Sequence, residues 1–263
     1  MDKDNYIIDD NLTHAWGKAI SLFSKIAGTE IQPLFLTVKM DENGTPTENS
    51  GLRKTIDTIL DERGKYSCQT VANTIFPKSL WNPKKPRQML FDRFNKIYPT
   101  IKKSDAGNKK GRYFDRLINY YDKEHGGNPV NQLEYIITTR MINKNPRRSA
   151  YQASIINPYT DHTNQHVSGF PCLQQVSFVP NPKKGTLSVL GYYPYQYIFD
   201  RAYGNYLGLC WLGQFMAHEM GLKLAEMTCV AGIAELGQIN KTDTGLTKIR
   251  NLISERMNAN GEQ

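Results

Sequence analysis

The sequence predicts an α+β fold in which a mixed sheet wraps around one buried helix, with other helices flanking the sheet. The first half of the chain has mostly helical apolar spacing, and the second half has mostly strand-like runs. Residues 205–219 are apolar on nearly all sides. A helix without a polar face is normally buried, and the strands around it can supply the cover.

In the first half, apolar spacing predicts helices and one early strand. Trp16 and Ile20 fall on one face of the first helix, as buried residues of an amphipathic helix do. The run IQPLFLTVKM predicts a strand that ends at the DENG turn. In the last of the helices, Leu133, Ile137 and Met141 are expected to share a buried stripe. The predicted helices cover residues 11–27, 51–63, 68–80 and 130–143.

In the second half, four runs predict strands, and NPKKG predicts a hairpin turn between two of them. No composition shift marks a linker, so residues 1–263 are interpreted as a single domain. The predicted strands cover residues 149–157, 172–180, 186–193 and 226–235.

The composition predicts a soluble cytoplasmic protein. Hydrophobic residues make up 39% of the chain and charged residues 22%. The acidic start MDKDNYIIDD is no secretory signal, and the longest apolar stretch, residues 206–217, is too short to span a bilayer. The 4 cysteines form no CxxC pair, which favours reduced thiols over a disulfide framework or zinc site.

The net charge of +8 is concentrated in residues 84–112, which are interpreted as a basic, loop-rich insertion. Such a segment attracts phosphates of nucleotides or of nucleic acid, although a merely solvated surface has the same composition. Its acidic residues are Asp92 and Asp105. Its basic residues are Lys84, Lys85, Arg87, Arg93, Lys96, Lys102, Lys103, Lys109, Lys110 and Arg112.

An ordered series of segments resembles the thymidylate synthase superfamily, which includes the pyrimidine nucleotide hydroxymethylases. GFPCLQQVSF, TLSVLGYY and NYLGLCWLGQFMAHE match the nucleophile strand, the next strand and the buried helix of that family. Upstream, GRYFDRL and NQLEYIITTRMINKNPRRSA are similar to further family elements. The resemblance covers residues 111–236 and implies a thymidylate synthase-like fold.

The resemblance implies methyl or hydroxymethyl transfer to C5 of a uracil-type pyrimidine nucleotide. A thiolate that adds to C6 makes C5 nucleophilic, and Cys172 holds the position of that nucleophile. Arg147 and Arg148 match the arginine pair that one subunit of a homodimer lends to the other for phosphate binding. Asn205 matches the asparagine that reads the base.

The chain departs from the family at several ligand-binding positions. The second phosphate arginine is replaced by Pro194, and the two sugar-binding residues are replaced by Glu235 and Gly237. Arg201 is a candidate replacement for the lost arginine. Gln175 and Tyr197 are further candidates for substrate contact. The family's one-carbon donor is a reduced folate, but no folate-closing segment is visible near the C-terminus.

Two functions therefore remain open: an altered transferase, which we favour, and a catalytically degenerate nucleotide- or nucleic-acid-binding member that acts as a sensor or assembly component. Taken alone, Cys172 could be a small buried hydrophobe and Asn205 a helix cap. His162 and His166 have helical ligand spacing near Asp161, but their surroundings predict a loop and no metal site.

Overall fold

The computed structural model describes residues 5–104, 112–121, 127–143, 147–162, 164 and 170–261. It confirms the α+β prediction, because helices pack against one mixed, open sheet. The strands are β1 (Tyr6–Asp9), β2 (Glu30–Ile31), β3 (Leu34–Lys39), β4 (Gln152–Ser154), β5 (Gln175–Asn181), β6 (Thr186–Tyr197) and β7 (Lys223–Glu235).

The sheet has the order β1-β3-β7-β6-β5-β4, and β2 pairs with the end of β7. The β1–β3 and β6–β7 pairs are parallel, whereas the other pairs are antiparallel. The predicted hairpin between β5 and β6 is confirmed, and its Gly185 has a φ of 65°, a conformation that glycine adopts without strain.

The helices are α1 (Leu12–Leu22), α2 (Ser50–Asp61), α3 (Cys68–Ile75), α4 (Gln88–Ser104), α5 (Tyr113–Ile118), α6 (Gln132–Ile142), α7 (Pro158–Asp161), α8 (Tyr203–Glu219) and α9 (Thr244–Gly261). As predicted, α8 is buried on nearly all sides. It packs against β6, β7 and α3. Gly204 and Gly208 allow α3 to approach closely, since a Cβ on Gly204 would lie 2.5 Å from Val71 Cβ.

Two interpretations of the sequence are wrong in detail. Residues 88–104 of the basic segment form the long helix α4, because Leu90, Phe91 and Phe94 give it a continuous buried stripe. In α6, Leu133 and Ile137 are buried as predicted, but Met141 is exposed near the end of the helix.

The core-facing side of the sheet carries the buried residues of β3, β5, β6 and β7. The alternate residues form the opposite side, here called the open face, on which every side chain is at least partly exposed. One row across the open face is Tyr6, Phe35, Val230, Tyr192 and Gln175. The next row is Ile8, Thr37, Thr228, Leu190 and Ser177.

The helix α9 packs on α1 and α2, away from the strands. A Cβ on Gly17 of α1 would lie 2.5 Å from a methyl carbon of Ile253, so the two helices meet with no space between them. Among the described residues, none of the helices is both long enough and apolar enough to cross a membrane.

Candidate functional site

Cys172 lies in the segment that enters β5, not within the strand as the sequence predicted. Hydrogen bonds fix the two residues that follow it. The Leu173 amide donates to the Tyr113 hydroxyl over 3.5 Å, and the Gln174 amide donates to the Tyr192 carbonyl over 3.0 Å. The backbone beside the thiol is therefore held, and the Cys172 residue is exposed.

Two residues act on the Cys172 thiol: Tyr113 through a hydrogen bond and Arg201 through its positive charge. Burial by neighbouring groups raises the pKa of Cys172, while the Arg201 charge and a hydrogen bond from Tyr113 lower it by a smaller amount. Burial also raises the pKa of Tyr113, so this hydroxyl stays protonated and can donate. Within the single chain the cation is therefore present, but the effect of burial on the thiol pKa outweighs it.

Asn205 lies within α8, one helical turn after Arg201. The alternative in which Asn205 caps the helix is wrong, because the capping position is Ala202. The side chain of Asn205 is only 5% exposed. Its amide makes no hydrogen bond to any residue in the described part of the chain. Neither polar atom of this amide is among the fully buried, unsatisfied atoms of the described residues, so solvent or a ligand can reach it.

A buried polar cluster lies behind the thiol. Gln196 accepts hydrogen bonds from the Tyr206 hydroxyl at 3.4 Å and from the Cys229 thiol at 3.7 Å. Tyr193 interacts electrostatically with both Cys229 and Cys172. The Tyr193 hydroxyl and the Gln196 side-chain nitrogen have no partner among the described residues. The interior next to Cys172 is therefore more polar than a β-sheet core usually is.

Arg147 and Arg148 are exposed at a 3₁₀ turn just before β4. Neither makes an ion pair with a described residue of its own chain. Two adjacent guanidinium groups without carboxylate partners remain free to bind an anion or another subunit. The structure does not bring them into contact with Cys172 within one chain.

Gln175 and Tyr197 have partners other than the groups that act on the Cys172 thiol. Gln175 is on the open face, where its side chain hydrogen-bonds Gln152. Tyr197 ends β6 with its ring 5.4 Å from that of Tyr195, and the Tyr195 hydroxyl donates to Glu235. Their assignment to substrate binding gains no geometric support from a single subunit.

The acidic residue of the histidine segment has a structural role. Arg116 donates to both oxygens of Asp161, at 2.6 and 2.8 Å, and Asp161 is 1% exposed. This ion pair ties α5 to α7 and leaves the carboxylate unavailable to a metal. His162 lies beside Phe170, and His166 is outside the described residues. The described residues contain no group of metal-ligating side chains.

The basic segment presents unpaired charge along α4. Arg93, Lys96 and Lys103 lie on one exposed side of the helix, and none forms an ion pair with a described residue. Arg87 differs, because its guanidinium donates to both oxygens of Glu134. Lys109 and Lys110 lie outside the described residues.

Tyr113 and Tyr66 are site residues that the sequence did not single out. Tyr113 belongs to the GRYFDRL segment, so the family resemblance could have pointed to it. Tyr66 follows α2, where the chain matches the family poorly, and its ring stacks on Arg201 with 4.8 Å between ring centre and guanidinium carbon. No pattern in the sequence indicates that contact.

Comparison with known proteins adds no family assignment. No family model matches the chain. No curated protein matches it by sequence. The thymidylate synthase resemblance therefore stays a prediction from residues 111–236.

Proposed function

We propose that this protein binds a uracil-type pyrimidine nucleotide and transfers a one-carbon group to C5 through a covalent intermediate at Cys172. The observation that carries the proposal is the grouping of Cys172, an exposed residue, with the Tyr113 hydroxyl and the Arg201 guanidinium. The unpaired amide of Asn205 lies one helical turn after Arg201, within α8.

The proposed chemistry begins with the Cys172 thiolate, which forms a bond to C6 of the pyrimidine. The electrons of the C5–C6 double bond move toward C5 and O4, so C5 becomes able to attack an electrophilic one-carbon donor. C5 forms a bond to the one-carbon unit as the donor's leaving group departs with the electron pair of the bond that breaks. Transfer of the C5 proton to solvent and expulsion of the Cys172 thiolate from C6 then restore the C5–C6 double bond. In this scheme Tyr113 hydrogen-bonds the sulfur, Arg201 stabilises negative charge, and Asn205 can donate to O4 and accept from N3–H.

The raised pKa of Cys172 means that more positive charge is needed before the thiol can react readily. We propose that Arg147 and Arg148 supply this positive charge across a homodimer and that they also bind the phosphate of the nucleotide. The open face of the sheet is the proposed dimer interface, because exposed apolar residues such as Tyr6, Ile8 and Tyr192 are spread over its rows.

The one-carbon donor is proposed to be a reduced folate only on the strength of the resemblance. The last helix, α9, packs on α1 and α2, so it does not provide the closing segment that the family uses. The roles proposed for the residues around Cys172 concern the nucleotide and not the one-carbon donor. The covalent step at Cys172 therefore does not depend on which donor is used.

The test is adduct formation with 5-fluoro-dUMP and 5-fluoro-UMP, read by intact-protein mass spectrometry with and without a reduced folate. The wild-type protein should gain the mass of one nucleotide, and Cys172→Ala should gain none. Cys210→Ala is the matched control, because that thiol is buried, lies outside the polar cluster behind Cys172 and should not affect the adduct. Absence of an adduct at pH 7 and at pH 9 with both nucleotides would contradict the enzyme proposal.

The raised thiol pKa also favours a second candidate, a nucleotide-binding protein without turnover. In that case pyrimidine nucleotides should raise the melting temperature, since a ligand that binds only the folded state stabilises it by mass action. The same nucleotides should leave the protein mass unchanged, and Cys172→Ala should bind them as tightly as the wild type.

A further inference from the structure

Two consecutive residues of the loop between α2 and α3 contact two consecutive residues before α8. Lys65 Nζ lies 3.3 Å from Asp200 Oδ2, and the Tyr66 ring lies 4.8 Å from the Arg201 guanidinium carbon. Residues 198–202 form a π-helical turn, a distortion of helical geometry that occurs frequently at functional sites. The loop is therefore attached at two points to the segment that carries Arg201.

Arg201 is exposed and has no carboxylate partner among the described residues. The neighbouring carboxylate of Asp200 does not serve, because its Oδ2 contacts Lys65 and accepts from the Gln238 amide at 3.4 Å. Lys65 is fixed in turn by a 2.6 Å hydrogen bond to the Gln238 side chain. The direction of the Arg201 side chain is therefore set by the aromatic ring and not by an ion pair.

The face of an aromatic ring attracts a guanidinium group, and this attraction restricts a long side chain to few rotamers. Arg201 also interacts electrostatically with the Cys172 thiol and with the Tyr113 hydroxyl. We propose that Tyr66 is a positioning residue that holds Arg201 in the orientation in which its charge acts on Cys172. The use of this arrangement in catalysis rests on the proposed function, but the effect of Tyr66 on the Cys172 thiol does not.

The test is the pH dependence of Cys172 alkylation by iodoacetamide, which needs no nucleotide. Cys68, Cys210 and Cys229 are buried, so the native protein should react at Cys172, with Cys172→Ala as the blank. Tyr66→Leu should move the thiol pKa upward and slow alkylation at pH 7 by about 3- to 10-fold, since one pKa unit changes the thiolate fraction tenfold. Tyr66→Phe keeps the ring and should retain the wild-type profile.

The double variant separates positioning from a general loss of structure. Arg201→Gln should shift the profile at least as far as Tyr66→Leu, and combining the two should add nothing, because Tyr66 acts only through Arg201. Tyr135→Leu, an exposed tyrosine on α6, is the matched control and should alkylate like the wild type. A wild-type profile in Tyr66→Leu, or additive shifts in the double variant, would overturn the inference.

If Tyr66→Leu fails to fold, Arg201→Gln and Arg201→Lys still decide the question. A lysine cannot reproduce the flat contact of a guanidinium with the ring, so Arg201→Lys should raise the thiol pKa despite keeping its charge. Equal profiles for Arg201→Lys and wild type would show that orientation by Tyr66 is irrelevant. Failure of nucleotide adduct formation with intact alkylation shifts would count against the proposed function alone.

Discussion

The two sides of the sheet differ in burial: helices of the same chain cover the core-facing side, and the open face stays partly exposed. On the core-facing side, Val189 and Met227 lie under α8, and their side chains are completely buried. On the open face, Leu190 and Thr228 occupy the neighbouring positions of the same strands and stay partly exposed. Side chains of a strand alternate between the two faces of the sheet. A position whose burial stabilises the fold is therefore followed directly by a position that can contact another molecule.

The largest effect is expected from a charge on the core-facing side. Val189→Asp places a carboxylate among apolar residues without a cation to pair with it. The cost should exceed about 4 kcal/mol and leave little folded protein. Circular dichroism and urea unfolding would measure the loss. A cooperative transition near the wild-type midpoint would show that β6 does not face the core at this position.

A charge at the next residue of β6 should have the opposite consequence for folding. Leu190→Asp should leave the free energy of unfolding of the subunit nearly unchanged, because the residue faces outward. It should weaken a homodimer through the open face at least about tenfold, since like charges would meet across the symmetry axis. Light scattering during gel filtration measures both states. An equally stable dimer in this variant would rule out the open face as the interface.

A third prediction concerns pH. Burial raises the pKa of Tyr193 and Cys229 on the core-facing side of the sheet and of Tyr206 and Cys210 on α8, so all four stay protonated in the folded protein. In the unfolded chain cysteine ionises near pH ~8.5 and tyrosine near ~10. Their contribution to stability is complete below those values and is lost as the pH rises toward the folded-state pKa values.

Urea midpoints at pH 7.5, 9 and 10 should therefore fall steadily. Tyr206→Phe removes one of the titrating groups, so its midpoint should fall less steeply than that of the wild type. A midpoint that stays constant from pH 7.5 to 10 would mean that these groups ionise as easily in the folded state.

The smallest effect is expected outside the sheet, on α4. We propose that its unpaired cations bind nucleic acid phosphates, with an affinity that falls as salt increases. Lys96→Glu with Lys103→Glu should weaken binding of a DNA duplex about 3- to 10-fold at low salt and flatten the salt dependence. Lys54→Glu on α2 is the control. Fluorescence anisotropy gives both values, and salt-independent binding would contradict the proposal.

Helices and strands were predicted best where a single local sequence pattern determined the structure. The burial of α8 followed from its lack of a polar face, and the hairpin before β6 followed from Gly185. The helix α4 was missed because Pro83, Pro86 and Pro99 suggested a loop, yet Pro99 lies within the helix and its buried stripe outweighs the missing hydrogen bond.

The candidate site was predictable only in part, because it joins residues that are far apart in sequence. Cys172 and Asn205 lay in segments with ordered family resemblance, whereas the stacking of Tyr66 on Arg201 joins residues 135 positions apart. The raised pKa of Cys172 depends on how many groups surround the sulfur in three dimensions. No linear pattern carries that information.

The contact between Gly17 and Ile253 has a consequence for how this chain can change over generations. A methyl group at position 17 would occupy space that the isoleucine already fills. Descendants that acquire alanine at 17 should therefore persist mainly where position 253 has shrunk to valine or alanine. The two sites are 236 positions apart in the chain, yet natural selection would treat them as one inherited unit.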